Sequence, residues 1–418
     1  MKEPKIRFKG FKGEWEETSL GKLSTNYKYG INAAAIPYDG TNKYLRITDI
    51  DENTRLFSQE DLTSPGTDLS CCNEYLLEEG DITIARTGAS VGKSYIYHIS
   101  DGKVYFAGFL IRTRLNENVD KDYVFYSTLT DKYAKYIRLV SQRSGQPGVN
   151  VEELKGYTFN LPCDKAEQQS IASYFQHLDY LIQSTTKKIE SLKQVKAASL
   201  QSMFPQEGET TPRVRFKGFE EEWEIVTLGE VGTFKSNGVD KLIKPNEKII
   251  NLLNYLDVYN SRQVTKDNCN SLMQVSASDR QIKECDIQKN DVFFTPSSET
   301  AEDIGYVLVM RDTLPNTCYS YHLMRYRPNE GVFFEDFPNC GFMTKFVRAQ
   351  IRLLAKGVQR FVIGKTEFES IKVQIPSYKE QMQIANFFRS LDHQITLQNQ
   401  RLEKLKQIKA ACLDNMFV

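Results

Sequence analysis

The segment GASVGKS at residues 88–94 has the residue types of two enzyme sites. It falls short of a phosphate-binding loop, which has four residues between its first Gly and its Gly-Lys pair, because here there are three. Gly88-Ala-Ser90-Val-Gly92 does match the nucleophile elbow G-x-S-x-G, but that motif joins a strand to a helix. The SYIYHI that follows predicts a second strand. We therefore interpret residues 88–94 as a hairpin loop and predict no catalytic residue here.

Other signatures of catalysis or metal binding are missing from the sequence. It has no G-x-G, no Pro-Pro and no H-E-x-x-H, its eight Cys form no C-x-x-C pair, and its four His are scattered. We therefore expect no cofactor and no metal in this chain, and reduced cysteines. No apolar run suggests a signal peptide or a membrane span, so we expect a cytoplasmic protein.

Basic residues are interleaved with aromatic ones in several stretches, such as Lys43-Tyr44-Leu-Arg46 and Arg325-Tyr-Arg327. Any one of these cations could equally be a solvated or structural charge, but the set supplies what contact with phosphates requires. Side-chain amides at Gln146, Asn150 and Gln359 are candidates for reading base edges. The predicted DNA-binding residues are Tyr44, Arg46, Arg86, Ser90, Lys93, Arg112, Arg143, Gln146, Asn150, Ser297, Ser298, Arg325, Arg352, Gln359, Arg360 and Lys365.

The net charge does not support this interpretation by itself, since 54 Lys and Arg balance 54 Asp and Glu. A protein that binds DNA alone usually carries a basic excess. A net charge of zero therefore leaves two cases open. Either the chain has no nucleic-acid partner, or it has local basic patches that are balanced by acidic faces elsewhere.

An internal repeat organises the chain. RFKGFKGEWEETSLG from Arg7 recurs as RFKGFEEEWEIVTLG from Arg215, and EQQSIASYFQHLDYLI from Glu167 recurs as EQMQIANFFRSLDHQI from Glu380. Between these matches the two halves diverge into strand-rich middles such as DITIAR and DVFFTP, with helical stretches such as DKYAKYIRLV. Each half is therefore a repeated frame around a divergent insert.

Each half ends in a predicted helix of about 40 residues, roughly 60 Å long. Pro162 and Pro376 precede the helices, and Asp164 with Glu167 and Ser377 with Glu380 predict capping boxes. A single amphipathic helix on its own domain is the commoner origin of an apolar stripe, but two equivalent long helices favour a coiled coil. The predicted seam comprises Ile171, Phe175, Leu178, Ile182, Ile189, Leu192, Ile384, Phe388, Leu391, Ile395, Leu402 and Leu405.

The order of these motifs resembles that of type I restriction–modification specificity subunits. R-F-x-G-F-x-x-x-W, a variable domain, a strand ending in Pro, E-Q-x-x-I-A-x-x-F-x-x-L-D and K-Q-x-K-A-A-x-L-x-x-M-F occur twice, over the whole chain. The turn GQPGVN before the first long helix belongs to the same resemblance. The second half has VQRFVIG in its place, which keeps the pattern less well.

The resemblance implies an α+β fold with two mixed α/β, strand-rich target-recognition domains in a pseudo-two-fold internal repeat, separated by two long helices that form an antiparallel coiled coil. The implied domains are residues 1–163 and 206–376, and the implied spacer helices are residues 164–205 and 377–418.

The resemblance also implies a function without catalysis. Each domain would read one half of a split site in double-stranded DNA, and the helices would fix the gap between the halves. Two modification subunits, which carry S-adenosylmethionine, would dock on the frame, and two restriction subunits can complete such a complex. The alternative is a coiled-coil interaction protein that joins two ligand-binding domains and has no DNA role.

Overall fold

The computed structural model describes residues 3–417, which form two compact units. Unit 1 contains the described residues up to Lys187 together with those from Gln400 onward, and unit 2 contains Lys188–Asn399. The boundaries cut both long helices, α5 (Lys165–Ser202) and α11 (Tyr378–Met416), so each helix contributes one part to each unit. The two lengths, 38 and 39 residues, agree with the sequence prediction.

Unit 1 is a strand-rich α+β unit whose central sheet has the order β2-β9-β6-β7. The hairpin β6–β7 pairs Ile82 with Ile96 and Ile84 with Ser94, which confirms that residues 88–94 form a loop between two strands. Its elements are β1 (Glu16–Ser19), α1 (Leu20–Leu23), β2 (Ser24–Tyr29), β3 (Ala35–Pro37), β4 (Lys43–Leu45), β5 (Thr63–Pro65), β6 (Ile82–Ala85), β7 (Ser94–Ile96), β8 (Val104–Phe106), β9 (Leu110–Leu115), α2 (Lys121–Ser127), α3 (Asp131–Val140), α4 (Val151–Lys155) and β10 (Thr158–Leu161).

Unit 2 repeats this plan with a sheet of order β12-β20-β16-β18 and adds a second four-stranded sheet, β14-β13-β19-β15. Helix α3 of unit 1 and helix α9 (Lys345–Leu354) of unit 2 begin alike, because the Thr130 and Thr344 hydroxyls accept hydrogen bonds from the first helical turn. Its elements are β11 (Glu224–Thr227), β12 (Gly232–Lys235), β13 (Lys248–Leu253), α6 (Tyr255–Tyr259), β14 (Met273–Ala277), α7 (Asp279–Glu284), β15 (Asp286–Ile287), β16 (Val292–Phe294), β17 (Ser297–Ser298), β18 (Val307–Val309), β19 (Leu314–Tyr319), β20 (Met324–Pro328), α8 (Phe337–Gly341), α9 (Lys345–Leu354), β21 (Phe361–Val362), α10 (Lys365–Glu369) and β22 (Lys372–Ile375).

The repeated frame closes each domain on itself. Strand β1 pairs antiparallel with β10, directly before the first long helix, and β11 pairs in the same way with β22 before the second. The two Trp lie beside these strands and are buried, Trp15 edge-on to Tyr123 and Trp223 edge-on to Phe204. The frame therefore joins the start and the end of each domain next to the long helix that follows it.

The long helices pair inside each unit. In unit 1 the first part of α5, with Ile171 and Phe175, shares a core with the last part of α11, including Leu413 and Met416. In unit 2 the last part of α5, with Met203, shares a core with the first part of α11. This is the antiparallel pairing of a coiled coil. The predicted seam residues that are buried are Ile171, Phe175, Leu178, Ile182, Ile189, Ile384, Phe388 and Leu391, while Leu192, Ile395, Leu402 and Leu405 are half-buried.

The predicted capping boxes are wrong. The Glu167 carboxylate accepts two hydrogen bonds from the Arg7 guanidinium, at 2.7 and 2.8 Å, and Glu380 accepts the same two from Arg215. A buried carboxylate is more strongly stabilised by a bidentate guanidinium than by one backbone N–H, which explains the difference. The motif Glu therefore ties the start of each long helix to the R-F-x-G-F segment.

Candidate nucleic-acid interface

In unit 1 the predicted hairpin loop lies against the turn between α3 and α4. The Gly88 N–H donates to the Pro147 carbonyl at 3.0 Å, the Val149 N–H donates to the Arg86 carbonyl at 2.8 Å, and Thr87 lies opposite Gly148 as an isolated bridge. Two loops far apart in the sequence are therefore held together as one surface. We call residues 141–149 the unit 1 turn.

The base of the unit 1 turn is braced by charged and polar side chains. The Arg143 guanidinium donates to Glu153 at 2.5 Å and to the carbonyls of Val140 and Gln142. Asn150 caps α4, because its side-chain oxygen accepts from the Glu153 N–H at 2.9 Å. These contacts position the turn, while Arg143 and Asn150 remain exposed and stay predictions as DNA contacts.

Gln146 lies at the exposed part of this turn and makes no hydrogen bond to the described residues. Its amide nitrogen sits over Gly88, where an added Cβ would lie only 2.9 Å from Nε2, and Gly88 has a positive φ of 78°. Only glycine allows this approach without strain. The amide lines an open cavity of about 330 Å³ with Arg86, whose guanidinium lies 4.8 Å from the centre of the Tyr29 ring.

Unit 2 has the corresponding surface. Ser297 pairs with Val362 and Ser298 with Phe361, and the Ile363 N–H donates to the Pro296 carbonyl at 3.0 Å. We call residues 355–363 the unit 2 turn. Its Arg360 is exposed and donates from Nη2 to the Ser297 hydroxyl at 3.0 Å.

The His322 ring lies near this turn. Partial burial, with the neighbouring cations Lys241 and Arg360, lowers the pKa of this ring. Two cations beside an exposed turn attract a polyanion.

Four predicted contacts lie inside the fold instead. Tyr44 is buried and donates to the Ile31 carbonyl, and Lys93 is buried and donates to the Ile50 carbonyl at 3.0 Å. Arg112 is buried and donates to the Glu74 carbonyl and to Asn26, and Arg325 is buried and donates to Asp286. These four predictions are corrected, because a side chain buried among partners within the fold is not presented to DNA at the surface.

The remaining predicted residues lie at or near the surface. Arg86 and Ser90 are half-exposed, as are Ser297 and Ser298, while Arg352, Gln359 and Lys365 are exposed. Arg46 is partly exposed and makes two hydrogen bonds to Asp49, at 2.9 and 2.7 Å. All of these stay predictions as DNA contacts.

Sequence reasoning missed a repeated buried ion pair. Asp81 is buried and accepts from Arg114 at 2.9 and 2.8 Å, and Asp291 is buried and accepts from Arg327 at 2.6 and 2.7 Å. The sequence does carry a signal for this pair. Asp81 in DITIAR and Asp291 in DVFFTP stand at corresponding places in two otherwise divergent inserts, and a carboxylate kept in this way is expected to have a structural partner. The R-x-R stretches of β9 and β20 therefore hold the sheets together.

Two classes of site are not found in the described part of the chain. Residues 3–417 contain no group of three His, Cys, Asp or Glu placed to hold a metal ion. Among the same residues, no helix is both long and apolar enough to cross a bilayer.

The fold and the paired surfaces define a two-domain recognition protein, and comparison with known proteins gives its family. Residues 13–194 and 220–407 match the type I restriction modification DNA specificity domain, once in each half. This chain belongs to that family. Its members are the DNA-recognition subunits of their enzymes and not the catalytic ones, and this chain is a specificity subunit.

Individual relatives agree with the family match. The chain is 22% identical to the putative type I restriction enzyme MjaX specificity subunit of Methanocaldococcus jannaschii, over 80% of this chain and 77% of the relative. It is 20% identical to the type I restriction enzyme MjaVIII specificity subunit of the same organism, over 80% and 78%.

Solved structures share the fold. The S subunit of a type I restriction–modification system from M. genitalium superposes with a TM-score of 0.63 at 14% identity, over 100% of this chain and 99% of that one. A chain from a study of complex assembly and conformational transition in a type I system gives 0.52 at 12% identity, over 96% of each chain.

Proposed function

We propose that this chain recognises a split site in double-stranded DNA, one half with each insert, and positions methyltransferase subunits on it. Residues 1–163 and 206–376 would be the target-recognition domains, and residues 164–205 and 377–418 the spacer helices. The observation that carries the proposal is the repeated surface: each unit presents an exposed turn, braced from below and joined to a second loop, on the same frame.

The frame explains how a neutral chain can serve this function. Two equivalent copies of a frame offer two equivalent surfaces to two copies of one partner, so two modification subunits fit the repeat. The divergent inserts would face DNA, and joining two weak readers on one support raises their effective concentration. S-adenosylmethionine would be bound by the modification subunits. Two restriction subunits would complete a cleaving complex in the cytoplasm, where its DNA lies.

The test uses the full chain co-expressed with its proposed methyltransferase subunits. Selection of duplexes from a randomised library should yield two short motifs at one fixed separation. A single uninterrupted motif would contradict the split site. No enrichment of any sequence would favour the coiled-coil interaction protein over this proposal.

A further inference from the structure

The unit 1 turn and the unit 2 turn have the same length and the same end points. Helix α3 ends at Val140 and the cap of α4 is Asn150, while α9 ends at Leu354 and the cap of α10 is Gly364. Nine residues therefore separate the helix end from the helix cap in both units, although the two sequences from helix end to cap, VSQRSGQPGVN and LAKGVQRFVIG, share little.

The hydrogen bonds fix which residues correspond. Val149 donates to the Arg86 carbonyl, and Ile363 donates to the Pro296 carbonyl, so Val149 and Ile363 occupy the same place. Counting back three residues from each reaches Gln146 and Arg360. Gln359, which is the nearest residue of the same type as Gln146, instead occupies the place of Gly145.

The brace below the turn is also repeated. Glu153 and Glu367 lie three residues after the two caps, and each accepts from a cation of the preceding turn, Arg143 at 2.5 Å and Lys356 at 2.9 Å. Both turns are therefore held by the same kind of ion pair. The side chain that differs on the exposed side is an amide in unit 1 and a guanidinium in unit 2.

Both of these side chains have free hydrogen-bonding groups. The Gln146 amide is free to use its N–H and its carbonyl together, which is the pattern that matches N7 and N6 of adenine. Arg360 uses Nη2 for Ser297, which orients the guanidinium, and the rest of the described chain offers it no other acceptor. A guanidinium with free donors matches O6 and N7 of guanine, the commonest specific contact to a base.

We propose that Gln146 and Arg360 are corresponding specificity-determining residues, and that they select adenine in one half-site and guanine at the corresponding position of the other. The inference rests on the proposed function and adds to it the identity of one base in each half. It also replaces Gln359 by Arg360 as the reader in unit 2.

The experiment exchanges the two side chains in the full chain, co-expressed with its methyltransferase subunits. Library selection is run on the unchanged protein, on Gln146→Arg, on Arg360→Gln and on the double exchange. We expect Gln146→Arg to change one adenine of the first half-site to guanine, and Arg360→Gln to make the opposite change in the second, each by about tenfold or more. Gln359→Ala discriminates between the two candidate readers of unit 2: it should leave the selected base unchanged, whereas a changed base would return the role of reader to Gln359.

The outcomes separate this inference from the proposed function. If the unchanged protein selects a split motif and both exchanges leave that motif as it was, the inference is wrong and the proposed function stands. If either exchange lowers affinity for every sequence equally, the residue supports the turn and does not read a base, and the inference is again wrong. If the unchanged protein selects no split motif, the proposed function fails first.

Discussion

Lys409 on the second long helix donates to Asp179 on the first at 2.5 Å, and Lys196 makes the same contact with Asp392, also at 2.5 Å. The step from Asp179 to Lys196 is 17 residues forward on one helix, and the step from Lys409 to Asp392 is 17 residues back on the other. The two contacts therefore join equivalent positions of the repeat, one pair in each unit. The Asp comes from the L-D of one repeated motif and the Lys from the K-A-A of the other.

We expect the two ion pairs to differ in strength. Lys409 and Asp179 are 13% and 20% exposed and Asp179 also accepts from the Tyr126 hydroxyl, whereas Lys196 and Asp392 are 34% and 52% exposed. Lys409→Met should lower the free energy of unfolding by about 1.5–3 kcal/mol, and Lys196→Met by less than about 1 kcal/mol. Urea unfolding measures both, and equal losses would contradict the argument from exposure.

The hydrogen-bonded pair of Arg7 and Glu167 should stabilise unit 1 alone, and the fluorescence of the two Trp can test this. Each unit holds one Trp, so Trp223→Phe leaves Trp15 to report unit 1 and Trp15→Phe leaves Trp223 to report unit 2. In the first background, Glu167→Gln removes a charge that the guanidinium requires and should cost about 1–3 kcal/mol. Glu380→Gln is the matched change for unit 2. If the urea midpoints reported by Trp15 and by Trp223 shift equally in either variant, the Arg–Glu pair does not stabilise its own unit alone, and the prediction is wrong.

The seam of the helix pair can be tested with two neighbouring residues of α5. Leu178 is 5% exposed and Tyr180 is 65% exposed. Leu178→Asp places an unpaired charge in an apolar seam and should cost several kcal/mol, while Tyr180→Asp should change stability by less than about 0.5 kcal/mol. Thermal unfolding followed by circular dichroism gives both values. Similar melting temperatures for the two variants would exclude a seam at Leu178.

Two arginines predicted as DNA contacts should now behave differently. Arg352 is exposed, so Arg352→Met should leave stability unchanged, weaken binding to all sequences and lower the slope of log K against log salt by about one unit. Arg112 is buried among Glu74, Asn26 and Asp81, so Arg112→Met should destabilise unit 1. Anisotropy titrations at several salt concentrations, with a melting curve for each variant, measure the difference. A fully stable Arg112→Met protein with a lower salt slope would reverse these assignments.

The hairpin loop that resembles a nucleophile elbow gives a chemical prediction. Ser90 lies between two paired strands, and its carbonyl accepts from the Lys93 N–H as part of the turn. Ser90→Ala should leave the melting temperature unchanged, and the purified chain should hydrolyse no activated ester. Esterase activity that the substitution abolishes would contradict the assignment of this loop to recognition.

Local patterns were the most predictable part of the fold. Apolar periodicity identified both long helices, and runs rich in Ile, Val, Phe and Tyr identified strands such as β6 and β7, because these signals depend on residues within one element. The hairpin across residues 88–94 followed from the same reasoning. Contacts between distant segments were not predictable: Arg7 and Glu167 lie 160 residues apart, so Glu167 was assigned to the nearest capping partner.

The candidate site was only partly predictable for the same reason. A cation looks alike in sequence whether it is exposed, as Arg352 is, or buried against an acidic partner, as Arg325 is. Residue type also misled the comparison of the two turns. Gln359 resembles Gln146 in chemistry, but the hydrogen bonds of Val149 and Ile363 show that Arg360 holds its place.

The division of the helices between the units has a consequence for the order of folding during synthesis. Unit 2 is one continuous segment, Lys188–Asn399, and its core is complete once that segment has left the ribosome. The core of unit 1 includes Leu413 and Met416, and the Phe417 ring lies 5.0 Å from that of Tyr123. Domains usually fold in the order in which they are made. Unit 1 is translated first, but its core is incomplete until the last described residues have been made. Until then its half of the helix seam stays exposed to solvent.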